Sequence, residues 1–316
     1  MQAHIDNHAE RIRGGLLGLL VGDAVGVPYE FHHPRDLPPA DAIDMLPPPH
    51  FARAHAGVAP GTWSDDGAQA LCLLASLLAC GGLDLRDFAG RLVDWCERGD
   101  LAVDGHVFDI GIQTSRALAA LRAGASPERS GPADERSNGN GSLMRVLPLA
   151  LWHRGDDAEL ATLAARQSLP THGHARSQIA CALLCLWARR ELAGAADGWT
   201  RAVADLRRIG PAIGFDARET ECVLTPPQPA RGSGYVVDSL WSARIAVQES
   251  HDYAATIRRA IAFGDDTDTT AAIAGGIAGI RHGAQAIPAA WLDRLRGREL
   301  VDPLLQALLD RSAQAT

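Results

Sequence analysis

The chain contains no lysine, so arginine carries all of its permanent positive side-chain charge. Aromatic residues are few, at 5%. No run of about 18 uninterrupted apolar residues occurs, which excludes a membrane-spanning helix. Acidic side chains outnumber basic ones, 38 to 30, and the net charge is -8. That balance excludes nucleic-acid binding through bulk electrostatics, and no basic run offers a local groove. The first residues, MQAHIDNHAERIR, lack the apolar stretch of a signal peptide, so a cytoplasmic location is expected. The six cysteines, Cys72, Cys80, Cys96, Cys181, Cys185 and Cys222, are then expected to be reduced thiols. Cys181 and Cys185 fall on one helix face, where packing accounts for them better than metal chelation.

Apolar residues at helical spacing are plentiful. Hydrophobic residues make up 47% of the 316, enough for a sizeable core. The spacing predicts helices over 9–25, 64–80, 84–98, 107–124, 142–153, 157–168, 174–194, 197–208, 235–249, 252–263, 268–283 and 288–296. Alternating strand patterns are scarce, so the expected fold is all-α. Prolines make 33–62 an irregular excursion, and 124–141 and 223–234 read as the other long loops. No composition shift marks a linker, and one domain over 1–316 is expected.

Two acidic clusters each precede an apolar helix. They are Ser64-Asp65-Asp66 and Asp265-Asp266-Thr267-Asp268-Thr269. Helix capping accounts for one short polar residue in each, but not for several. Crowded carboxylates need a compensating cation, and hard oxygen donors point to Mg²⁺, Mn²⁺ or Ca²⁺ and away from zinc. The helix after the second cluster, rich in Ala and Gly, suggests close central packing. Asn138-Gly139-Asn140-Gly141-Ser142 precedes a predicted helix. It is either an ordinary turn with Ser142 as cap or a loop whose N–H groups receive a phosphate. Trp63 and Trp241 read as packing residues.

In this order the motifs resemble those of the ADP-ribosylglycohydrolases. The N-terminal helix from Gly15 through Asp23 to Gly26, with Glu30 after it, is similar to the family's first motif. Gly61-Thr-Trp-Ser-Asp-Asp66, Ser137 to Arg145 with Pro148, Thr171-His172, Gly234 to Asp238, and Gly264 to Thr269 follow in sequence. The likeness spans about 10–296. It implies a compact orthogonal bundle of helices and two divalent cations, Mg²⁺ or Mn²⁺. It also implies that Ser64, Asp65, Asp66, Asp266, Asp268 and Thr269 are metal ligands, with Glu30 a conditional one. Ser64 stands where many members have Thr, and Asp265 where Gly is common. Asp65, Asp66 and Glu30 become the candidates for proton transfer. Ligand contacts are expected from Asp109, Asn138, Gly139, Asn140, Gly141, Ser142, Leu143, Met144, His172 and Tyr235, but not from His174.

The implied activity is release of ADP-ribose from a modified acceptor, foremost arginine on a protein. The partners would then be an ADP-ribosylated macromolecule, ADP-ribose and a cognate ADP-ribosyltransferase. A second reading is a protein that binds ADP-ribose or neutralises a transferase by binding. A third is hydrolysis of another nucleotide or phosphoester.

Overall fold

The computed structural model describes residues 2–314. Among them are fourteen α-helices and no sheet. In chain order these are α1 (Gln2–Gly26), α2 (Asp65–Cys80), α3 (Leu85–Arg98), α4 (Ile112–Arg122), α5 (Leu147–Trp152), α6 (Asp157–Ser168) and α7 (Ala175–Leu192). There follow α8 (Gly198–Ile209), α9 (Ala217–Leu224), α10 (Val236–Glu249), α11 (Tyr253–Ile261), α12 (Thr267–His282), α13 (Ala289–Arg294) and α14 (Arg298–Gln314). No helix among the described residues is long and apolar enough to cross a membrane.

Local chemistry sets many of the boundaries. Asp84, Asp156, Asp216 and Asp252 cap α3, α6, α9 and α11, each accepting from backbone N–H groups of the first turn. His174 caps α7 through its ring, which accepts from Arg176 N. Gly81 and Gly99 stop α2 and α3 in the left-handed conformation that a side chain would resist.

Three expectations from periodicity, and the extent of the likeness, need correction. The segment predicted as helix from 107 is irregular as far as Gly111, and Asp109 has a left-handed φ of 58°. The helix predicted from 142 begins only at Leu147. Helix α9 covers 217–224, so the loop predicted from 223 starts later. The core also extends past 296, because Val301, Leu305 and Leu308 of α14 are buried.

The centre of the molecule is the contact between α1 and α12. Gly14, Gly18, Gly22 and Gly26 recur every fourth residue and so share one face of α1. A Cβ at these four positions would lie 2.1 Å from Gly279 O, 2.4 Å from Gly275 O, 2.1 Å from Ala271 O and 2.4 Å from the Asp268 Cα. Only hydrogen on that face allows the two backbones to meet. Their contact carries the start of α12 to the end of α1, where the Thr267 hydroxyl donates to Gly26 O at 2.8 Å. The small-residue helix is thus the central one, as its composition suggested, and Trp63 and Trp241 are packing residues.

Candidate metal centre

One side chain of α1 positions the first acidic cluster. The fully buried Asp23 carboxylate accepts from Ser64 N at 2.9 Å and from Gly67 N at 2.8 Å. It thereby fixes the N-terminus of α2, where Ser64 is the cap and Asp65 and Asp66 form the first turn. The second cluster starts α12, held against Gly26 three residues after Asp23. The two meet directly, since the Thr269 hydroxyl donates to Asp66 Oδ2 at 3.2 Å across 203 positions of sequence. Ser64 Oγ lies 3.4 Å from the same oxygen.

Glu30, four residues beyond α1, joins the second cluster. Carboxylate oxygens of Glu30, Asp266 and Asp268 lie within 4.8 Å of one another. Glu30 also belongs to a second group of the same tightness with His55 and Asp109, its Oε2 lying 2.7 Å from His55 Nε2. Asp266 Oδ2 accepts from Asn140 Nδ2 at 2.8 Å. By contrast, Asp66 Oδ1 and Asp268 Oδ2 are buried oxygens without a hydrogen-bond partner. A buried carboxylate oxygen left so is costly, and a bound divalent ion would satisfy it. All the donors are oxygens save His55, which suits a hard cation.

The electrostatics agree. Burial first, then neighbouring carboxylates, push Asp65, Asp66 and Asp268 well above the usual carboxylate range. Burial and the charges of Asp109, Asp266 and Asp65 raise Glu30 to about 11. Asp109 rises to about 7, mainly through burial. The fully buried Arg145 donates to Gln69 Oε1 at 2.8 Å while Gln69 donates to Asp65 Oδ2 at 2.8 Å, and its charge lowers the Asp65 pKa only in part. One guanidinium two residues removed cannot neutralise five or more carboxyl groups.

Above this acidic floor opens a cavity of about 730 Å³. Glu30, Asp65, Asp109, Asn138, Gly139, Asn140, Gly141, Met144, His172, Tyr235, Asp266 and Thr269 all line it. Ser64, Asp66 and Asp268 do not line it, nor do the fully buried Ser142 and Leu143. Two N–H groups of the 138–142 loop are engaged within the protein. Gly139 N donates to Gln113 Oε1 and Asn140 N to Gly234 O, so neither is free for a phosphate. A Cβ at Gly141 would sit 2.9 Å from His172 Cε1, so glycine admits that ring. Ser142 is no cap, because α5 starts five residues later. His172 is buried and its ring is held in the neutral form by burial, with Nδ1 at 2.8 Å from Thr171 Oγ1. Tyr235 is no core anchor: it stands half-exposed, its hydroxyl accepting from Arg176. Asp265 has a φ of 53°, which accounts for glycine being common at that place.

Sequence reasoning passed over Asp23, Gln69, Arg145 and His55. The first three lie inside the recognised motifs or one turn from them, so their position was a usable signal. His55 gave none, because its approach to Glu30 depends on the path of a proline-rich loop.

A chain of an ADP-ribosylglycohydrolase-related protein complex superposes with a TM-score of 0.77 at 31% identity, covering 97% of this chain and 99% of that one. The fold is therefore the ADP-ribosylglycohydrolase fold. The family profile of the ADP-ribosylglycohydrolases matches residues 4–316. The chain is 34% identical over 306 residues to the ADP-ribosylarginine hydrolase Tri1 of Pseudomonas putida (strain GB-1), covering 96% of this chain and 79% of that protein. It is 28% identical over 290 residues to the ADP-ribosyl-[dinitrogen reductase] glycohydrolase of Rhodospirillum rubrum, covering 90% of each. The protein belongs to the ADP-ribosylglycohydrolase family and is a hydrolase of ADP-ribosyl linkages.

Proposed function

We propose that the protein is a binuclear, divalent-metal-dependent hydrolase that releases ADP-ribose from arginine side chains of a modified protein, with Mg²⁺ or Mn²⁺. The observation that carries the metal reading is the pair of partnerless buried oxygens, Asp66 Oδ1 and Asp268 Oδ2, under a cavity floored by carboxylates. The arginine linkage is supported by the likeness to an ADP-ribosylarginine hydrolase. A cytoplasmic setting fits six cysteines that are all unpaired.

Ser64, Asp65, Asp66, Asp266, Asp268, Thr269 and Glu30 would hold the ions. A bound pair would supply positive charge to the ribose oxygens and lower the pKa of bound water. The chain's own residues divide the remaining work by position. Glu30 and Asp65 reach the cavity, whereas Asp66 lies beneath it, so Asp66 holds and the other two are placed to move a proton. Glu30 is oriented by His55, and Asp65 by Gln69, which occupies one of its two oxygens. Arg116 and Arg136 line the same cavity and offer positive charge to a pyrophosphate, which the engaged N–H groups of Gly139 and Asn140 do not. His172 and Tyr235 supply ring surface for the sugar and base.

The test is release of free ADP-ribose from arginine-, serine- and nucleic-acid-linked substrates, with Mg²⁺ or Mn²⁺ and with chelator. We expect metal-dependent release from the arginine linkage and a loss of about a hundredfold or more in Asp66→Asn, which should stay folded. Release that persists in chelator would overturn the metal reading.

A further inference from the structure

Four large hydrophobic side chains are exposed among the described residues, and three of them, Phe31, Ile112 and Tyr235, line the acid-floored cavity. Phe31 is unusual in a second way. The residue is 69% exposed and its φ is 61°, in the left-handed region that a bulky residue avoids. The conformation is held by a reciprocal backbone pair with the metal-motif loop. Phe31 N donates to Asp265 O at 2.7 Å, and Asp265 N donates to His32 O at 2.8 Å. Two independent penalties, a strained backbone and a wet aromatic ring, are thus retained at the lip of the cavity. Packing cannot explain a ring that packs so little.

Its neighbours indicate what the ring faces. The Phe31 ring lies 5.6 Å from that of His55, which lies 5.1 Å from that of Phe108. His55 contacts Glu30 at 2.7 Å and stands 4.0 Å from Asp109. An aromatic face separated by one imidazole from two cavity-lining carboxyl groups is an arrangement that attracts a planar cation. The anionic nucleotide would be repelled there and drawn instead toward Arg116 and Arg136.

We propose that Phe31 is a specificity-determining residue, its exposed ring forming a platform for the guanidinium of the acceptor arginine while Asp109 and Glu30 complement its charge. This rests on the arginine-linked reading above. It assigns the acceptor preference to the Phe31 ring, which is not among the proposed metal ligands.

The experiment uses the full chain with Mn²⁺, ADP-ribosylated agmatine as the cationic substrate, and free ADP-ribose titrated by calorimetry. Phe31→Gly removes the ring, suits the positive φ and keeps the backbone pair with Asp265. Phe31→Trp keeps an aromatic face. Phe31→Gly should raise KM for ADP-ribosyl-agmatine about tenfold while leaving the Kd of free ADP-ribose within about twofold, and Phe31→Trp should keep a near wild-type KM. An unmoved KM in Phe31→Gly, with the wild type cleaving this substrate, would overturn the platform alone. Equal weakening of free ADP-ribose would also overturn it, by placing the ring against the nucleotide. Absence of cleavage of the arginine linkage by the wild type would remove the arginine reading and the platform together.

Discussion

Metal addition should stabilise the protein by an amount that can be worked out beforehand. The site has two buried carboxylate oxygens without a hydrogen-bond partner and several carboxyl groups pushed above their ordinary pKa. An ion that binds only the folded state at 100 times its Kd contributes about 2.7 kcal/mol. For 316 residues, an unfolding entropy of about 2.1 cal/mol/K per residue totals roughly 660 cal/mol/K, so each kcal/mol moves the midpoint by about 1.5 °C. One saturated site should therefore raise the thermal midpoint by about 4 °C, and two by about 8 °C. The assay is a scanning-calorimetry or fluorescence melt of chelator-treated protein titrated with Mg²⁺ or Mn²⁺. In Asp66→Asn the response should shrink, while the midpoint in chelator should equal or exceed that of the wild type, because one uncompensated buried carboxylate is gone. A wild-type midpoint indifferent to both ions, or an Asp66→Asn protein that responds in full, would refute the reasoning.

Other consequences follow from the same geometry. Asp23 and Asp109 are raised to about 7 and Glu30 to about 11, chiefly by burial, so the folded metal-free protein holds protons that the unfolded chain releases above about pH 4. Stability in chelator should accordingly be greater at pH 5 than at pH 7, falling by up to about 1.4 kcal/mol per pH unit for each such group. Urea melts showing a rise over that interval would contradict this. Asp23→Asn keeps the shape of the anchor beneath Ser64 and Gly67 but not its charge, and it should weaken Mn²⁺ binding about 10- to 100-fold by calorimetry with helicity intact. An unchanged affinity would deny Asp23 its positioning role. Gly18→Ala places a Cβ 2.4 Å from Gly275 O, backbone against backbone, and should cost about 3 kcal/mol or more in denaturant melts. A neutral effect would mean that α1 and α12 separate freely.

The fold class was legible because most helices carry a continuous apolar face, as α2, α7 and α10 do. The misses have local causes. Asp109 lies in a stretch with helical spacing but adopts a left-handed backbone, which periodicity does not register. α14 contains Pro303 within its length and follows the left-handed Gly297, both of which interrupt the pattern. The acidic motifs stood out by composition, yet neither cluster encodes its meeting with the other. That meeting depends on four glycines of α1 and on Asp23, whose effect exists only once the helices touch. The same limit applies at the rim, where His55 reaches Glu30 from a loop whose path no local pattern describes.

The central claim is that Ser64-Asp65-Asp66 and Asp266-Thr267-Asp268-Thr269, with Glu30, together hold a pair of divalent ions. Anomalous diffraction from crystals grown with Mn²⁺ tests it most directly. The account predicts two anomalous peaks at the floor of the cavity, with Asp66 Oδ1 and Asp268 Oδ2 among the ligating atoms. Manganese bound elsewhere, or a floor without anomalous signal at saturating Mn²⁺, would contradict it.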